Sequence, residues 1–275
     1  MDASSSPVGA PEAQAATAAV SRQQLCDTHG EYESFQRWPG SRLWTGCPAC
    51  EREHALQRQA EEAEQRRQEA EVHAERVRAN RLKVSGLEGR MLRSGFDTFQ
   101  ADTPEQRVVL EACKSFVSPL ASEDGGGLWL MGLPGTGKTH LGSAMVSHVI
   151  NTERKRACIY SARELVRMLR ASWDRSSAPA EGADWQPTTE DQIIDFVGTA
   201  GLFVLDEIGT GFNSSAEQTQ LFDIIDLRYK HCLPTVLISN LDVDGIRAAL
   251  GERSFDRLRE GARVLTCTWP SHRGR

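Results

Sequence analysis

The sequence predicts an α/β fold, a parallel sheet flanked by helices, with a small separate module and a helical linker in front of it. Three observations carry this. Short apolar runs at Leu128–Met131, Ala157–Tyr160, Leu202–Leu205 and Thr235–Ser239 alternate with stretches of helical periodicity. The first run opens onto Gly132-Leu133-Pro134-Gly135-Thr136-Gly137-Lys138-Thr139, which fits G-x-x-x-x-G-K-[ST]. Far upstream, Cys26-x-x-His29 and Cys47-x-x-Cys50 form a pair of two-residue-spaced knuckles.

Composition bounds the function. The chain has 275 residues and a formal net charge of −6, which argues against coating duplex nucleic acid through bulk charge. No apolar run approaches the ~20 residues of a membrane span. Met1-Asp2-Ala3-Ser4 starts neither a basic n-region nor an apolar core, so no signal peptide is expected and the location reads as cytoplasmic. In that compartment the seven cysteines are not expected to form disulfides.

Residues 1–20, rich in Ala, Ser, Pro and Gln, read as a disordered leader. Residues 21–54 read as a zinc-binding module. Cys26, His29, Cys47 and Cys50 supply four ligands, which closes a structural site. His54 is a possible substitute but lies beyond the knuckle, so His29 is preferred. Tyr32, Phe35, Trp38 and Trp44 are expected to form a mini-core around the metal. A domain this small needs such a staple, and it serves better for docking a partner than for chemistry.

Residues 55–95 read as a charged helical linker. The helix is expected over 51–82, which is rich in Glu, Arg, Gln and Ala and keeps no heptad. Gly86, Gly89 and Gly95 end it, and Phe96 and Phe99 are expected to anchor onto the next domain, 96–275. A helix begins with Thr103 as N-cap and Pro104 at its first position, with Val108, Val109, Ala112, Phe116 and Val117 as its apolar face.

After Leu128–Met131 comes the phosphate loop, then a helix carrying Leu141, Met145, Val146 and Ile150. Strand, glycine loop and helix together are the context the motif requires. Gly132 through His140, including Pro134, Gly135, Thr136 and Gly137, is the expected nucleotide cradle, with backbone N–H groups and the helix N-terminus facing the phosphates of ATP. Lys138 is expected to reach the β- and γ-phosphates and Thr139 to ligate Mg²⁺. Ser161 and Glu164 form a capping box at the next helix. Ser172–Pro187 reads as a mobile loop, and a further helix is expected over Glu190–Val197.

Leu202-Phe203-Val204-Leu205 ends in Asp206-Glu207. This arrangement brings Asp206 to the carboxyl edge of the sheet, to hold Mg²⁺, and gives Glu207 to the attacking water as base. Asn240 follows the next strand and is placed to sense a γ-phosphate. Arg257, in Ser254-Phe255-Asp256-Arg257-Leu258-Arg259, and Arg273, after a strand over Val264–Trp269, stand in an arginine-rich tail. Cys113, Cys158, Cys232 and Cys267 read as small buried hydrophobes.

The segments GLPGTGKTHL, LFVLDEIG, LISNLD, LGERSFDRLREG and WPSHRGR, in this order from about Phe96 to Arg273, resemble the DnaC/IstB-like AAA+ ATPases. The nearest similarity is to bacterial replicative-helicase loaders. The resemblance implies an ATPase that self-associates through its AAA+ domain and places a hexameric replicative helicase on single-stranded DNA. It also implies sensor 1 at Asn240, an arginine finger at Arg257, sensor 2 at Arg273, and a helix around Arg163–Arg170 facing DNA. The zinc knuckle departs from loaders whose N-terminal domain is purely helical. Two other readings stand beside it: an IstB-type helper of a transposase, and a zinc adaptor that uses nucleotide as a structural switch.

Overall fold

The computed structural model describes residues 20–118, 126–173, 187–209 and 215–272. The expected leader, most of the expected Ser172–Pro187 loop, and Arg273 lie outside them. The chain divides into two units, Met1–Val72 and His73–Arg275.

In the first unit, β1 (Ser21–Cys26) and β2 (Gly30–Phe35) pair antiparallel, with Cys26 opposite Gly30. The chain returns through an isolated bridge between Gln36 and Trp44. Helix α1 spans Pro48–Lys83, three residues earlier than the composition suggested. The cause is local: the Glu51 amide donates to the Cys47 carbonyl at 3.0 Å, and proline suits the first helical position. The expected aromatic mini-core is present only in part, with Tyr32 and Trp44 half-buried. Phe35 and Trp38 are exposed, and the buried residues are Ser34, Ser41 and Cys47. A two-stranded sheet has only one inner face, and the strand alternation turns Phe35 to the other.

In the second unit, β3 (Gly127–Gly132), β4 (Ala157–Ser161), β5 (Leu202–Ile208), β6 (Thr235–Ser239) and β7 (Ala262–Cys267) form one sheet in the order β4-β5-β6-β3-β7. Every pairing is parallel. The strands are continuous apolar runs because both faces are covered. Leu128, Leu130, Val204, Val236 and Ile238 point to one face, against α2 (Pro104–Val117) and α3 (Lys138–Asn151). Trp129, Phe203, Leu205 and Leu237 point to the other. There they meet α4 (Ala162–Trp173), α5 (Glu190–Gly198), α6 (Ser215–Lys230), α7 (Val243–Leu250) and α8 (Glu252–Arg259).

Both caps read from the sequence are present. Thr103 and Gln106 form a reciprocal capping box at α2, and Ser161 and Glu164 do the same at α4. Three local expectations are corrected. Val108 is 59% exposed, and Leu110 and Cys113 complete the inner face of α2 instead. The last strand is Ala262–Cys267, so Trp269 stands beyond it and is free to turn toward the phosphate loop. Cys232 is exposed at φ 49°, in the turn after α6, whereas Cys113, Cys158 and Cys267 are buried.

The stretch after α1 is packed against the sheet. Ile159 of the edge strand β4 donates to the Ser85 carbonyl at 2.8 Å, and the Tyr160 hydroxyl to that of Val84 at 2.7 Å. Covering an edge strand in this way removes a free row of backbone groups. Gly86 sits at φ +77° with the Ile159 carbonyl where a Cβ would stand, so glycine is required. Leu82, Leu87, Met91, Phe96 and Phe99 then join the apolar layer beside α3.

Candidate functional site: a nucleotide cleft and a cysteine–histidine centre

The parallel order places the carboxyl ends of β3, β5 and β6 side by side, and the cleft lies above them. It has a volume of about 510 Å³. Pro134 through His140, Asp206, Glu207, Ser239 and Asn240 line it. The expected residues of the phosphate loop, the acidic strand end and the sensor position therefore meet in one place.

Within it, the loop is held by its own side chains. The Thr136 hydroxyl donates to the Leu133 carbonyl at 2.9 Å. Lys138, 5% exposed, donates from Nζ to the carbonyls of Gly132 at 2.8 Å and Leu133 at 2.7 Å. Gly137 has φ +89°, and a Cβ there would lie 2.7 Å from the Phe99 ring. A glycine lets the backbone make this turn with an aromatic pressed on it.

The Thr139 hydroxyl donates to Asp206 Oδ2 at 2.8 Å, and the Glu207 amide to Asp206 Oδ1 at 2.7 Å. Burial pushes the Asp206 carboxyl up to about 6, against these hydrogen bonds. Glu207 lies at φ 51°, where the pairing of β5 with β6 shifts register between Leu205 and Ile208. Asp206 is buried while Glu207 is exposed on the cleft wall, as successive residues of a strand point to opposite faces. A non-glycine residue with positive φ costs on the order of 1–2 kcal/mol.

Sequence reasoning missed the frame around this cleft. The indole N–H of Trp269 donates to the Thr136 carbonyl at 2.9 Å. The His272 amide donates to the Gly135 carbonyl at 2.9 Å, and His272 lines the cleft. His140 Nε2 donates to the Gly95 carbonyl at 3.0 Å and lies 3.1 Å from Thr98 Oγ1. The opposite wall contains Arg90, Met91, Ser94 and Gln106. Trp269 and His272 stood in WPSHRGR and His140 in the expected cradle, but nothing in the sequence pointed to these particular contacts.

Arg257 is not in this cleft. It pairs with Asp226 Oδ1 at 2.8 Å, lies over the Phe222 ring at 4.5 Å, and lines a second cavity of about 480 Å³.

In the first unit, the ligand atoms of Cys26, His29, Cys47 and Cys50 lie within 4.8 Å of one another, and His54 is outside the group. Cys26 Sγ is 3.5 Å from Cys50 Sγ, and His29 Nδ1 is 3.3 Å from Cys50 Sγ and 3.8 Å from the other two sulfurs. A tetrahedral ion with bonds of about 2.0–2.3 Å has ligand–ligand edges of about 3.3–3.8 Å; these four separations match that range, and the two from Cys47 Sγ to the other sulfurs lie within 4.8 Å. The backbone amides of Thr28 and His29 hold the Cys26 thiol down to about 6, whereas its contact with Cys26 pushes the Cys50 thiol up to about 12. Among the described residues no helix is long and apolar enough to cross a membrane.

A family model described as IstB-like ATP binding protein matches residues 54–274. The chain belongs to this family. It is 30% identical over 193 residues to the replicative helicase loader DnaC of Buchnera aphidicola subsp. Acyrthosiphon pisum, covering 70% of this chain and 74% of the relative. Its identity to the DnaC of Escherichia coli strain K12 is 24% over 192 residues, covering 70% and 74%. Among solved structures, the DnaC helicase loader superposes with a TM-score of 0.55 at 23% identity, covering 66% of this chain and 99% of that one. DnaI superposes at 0.53 and 21%, covering 69% and 96%. The five-stranded parallel sheet flanked by helices is thus the AAA+ fold of these proteins, and the chain is homologous to both DnaC loaders and IstB-like ATPases.

Proposed function

We propose that this chain is an ATP-dependent loader that places a hexameric replicative DNA helicase on single-stranded DNA. The observation that carries the ATPase half is the Thr139–Asp206 hydrogen bond at 2.8 Å, which joins the phosphate loop to the acidic strand end within one cleft. The loader half is supported by the 30% identity to a replicative helicase loader over 70% of the chain.

The loop amides from Gly135 to Thr139 and the Lys138 ammonium would bind the phosphates of ATP. Thr139 and Asp206 would hold Mg²⁺, which neutralises charge developing on the phosphoryl oxygens. Glu207 polarises the attacking water and accepts its proton. Asn240 orients the γ-phosphate end. Arg257, which lies outside its own cleft, serves the site of a neighbouring copy, with Arg273 as sensor 2. Cys26, His29, Cys47 and Cys50 would hold Zn²⁺ as a structural staple for the module that docks the helicase.

The test is co-purification with a candidate hexameric helicase, with and without ATP. Deleting residues 1–72 should abolish association and leave nucleotide binding intact. The cut belongs at 72, because beyond it Arg78 donates to Asn151 and Leu82 packs into the second unit's core. Association retained after this deletion would remove the docking role of the first unit. The family match also supports a second reading, an ATPase helper of a transposase; capture of a transposase instead of a helicase would favour it.

A further inference from the structure

We propose that Glu53 is a positioning residue for the cysteine–histidine centre: it fixes the His29 imidazole so that Nδ1 becomes the fourth donor to a tetrahedral divalent cation. The proposal rests on the reading of Cys26, His29, Cys47 and Cys50 as a metal site.

His29 Nε2 lies 2.9 Å from Glu53 Oε1. An ionised carboxylate only accepts, so Nε2 carries the hydrogen. In the neutral ring the lone pair then belongs to Nδ1, and Nδ1 is the nitrogen that faces the three sulfurs at 3.3–3.8 Å. One contact therefore sets both the tautomer and the direction of the ring. A hydrogen-bonded carboxylate also makes the imidazole a stronger donor.

The start of α1 explains why Glu53 is the residue that does this. Cys47 caps the helix through its carbonyl, at 3.0 Å from the Glu51 amide. Cys50 and Glu53 are three residues apart, which places them on one face of the helix. Cys50 thus supplies a sulfur in front of the imidazole while Glu53 closes on it from behind. His54 is one residue further round the helix and stands outside the ligand group. His54, four residues after Cys50, is also near that face, but it is the His29 nitrogen that stands among the three sulfurs.

The Glu53 side chain is 64% exposed. As a surface ion pair it would contribute little by itself, because solvent screens it. As an outer partner of a metal ligand its loss typically weakens the metal by about 10–100-fold. The two roles are therefore separable by experiment.

The full chain is prepared with zinc as wild type, E53A, E53Q and H54A. Zinc affinity is measured by competition with a chromophoric chelator, and cobalt is substituted to record the ligand-field bands. E53A should bind zinc about 10–100-fold more weakly. Its cobalt bands should depart from the pattern of three sulfurs and one nitrogen. E53Q, whose amide oxygen still accepts from Nε2, should recover part of the affinity, and H54A should match wild type. A merely structural pair would alter melting of the metal-free protein and leave the cobalt bands unchanged. E53A with wild-type affinity and bands would overturn the role of Glu53 alone. A wild-type chain that holds no zinc would overturn the metal reading and this proposal together.

Discussion

Trp269 donates its indole N–H to the carbonyl of Thr136 across 2.9 Å, so the end of the chain holds the phosphate loop from behind. Both residues are buried, at 8% and 2% exposure. Replacing Trp269 with Phe keeps most of the apolar volume and leaves that carbonyl without its partner. A lost buried hydrogen bond costs about 1–2 kcal/mol. Nucleotide affinity should fall by roughly 5- to 30-fold if the cost falls on the loop geometry. Titration with a fluorescent ATP analogue would measure it; unchanged affinity together with a lowered Tm would assign Trp269 to stability alone.

The legible part of this site was the part made by local chemistry. Gly137, Lys138 and Thr139 are fixed by what a phosphate needs, and Asp206 by the end of an apolar strand. Ser161 announced its cap through a capping box contained within four residues, and Thr103 through the proline that follows it. What could not be read was what crosses the chain. Trp269 reaches Thr136, and His140 reaches Gly95, only because β7 lies beside β3 and the stretch after α1 folds over α3. Phe35 misled for the same reason: which face of a two-stranded sheet is inner depends on what covers it. The register shift and positive φ at Glu207 have no sequence pattern behind them, whereas the opposite facing of Asp206 and Glu207 follows from strand alternation.

Asp206 makes the metal-free protein pH-sensitive. Burial raises its carboxyl from an ordinary 3.8 to about 6. Between these values the folded chain keeps a proton that the unfolded chain has released. This contribution to stability is greatest at the acidic side of the window and falls as pH rises through 6. D206N removes the buried charge and retains an acceptor for Thr139. In chelator, it should raise stability at pH 7.5 by about 1–3 kcal/mol, and the gain should shrink toward pH 4.5. Urea midpoints at the two pH values test this, and an equal gain at both would count against it.

Glu207 should separate hydrolysis from binding. It is exposed on the cleft wall, whereas Asp206 is buried against Thr139. E207Q retains size and hydrogen bonding but cannot accept a proton from water. Phosphate release should drop by about 10²–10⁴-fold while ATP affinity stays near wild type. Turnover unchanged in E207Q would instead support nucleotide used as a structural switch.

Arg257 gives the clearest prediction about assembly. Its guanidinium is fixed by Asp226 at 2.8 Å and by the Phe222 ring at 4.5 Å, both from α6. It lines a cavity separate from the nucleotide cleft, so a direct contact with a reacting phosphate would be made on another copy. In wild type, ATPase activity per subunit should therefore rise with protein concentration. R257A should abolish that rise, with a loss of up to about 10³-fold at the highest concentrations. It should leave ATP binding by dilute protein unchanged. D226A, which frees the guanidinium without removing it, should give an intermediate slope, because an ordered side chain loses less entropy when it docks. Superimposable concentration curves for wild type and R257A would show that the cleft is complete within one chain.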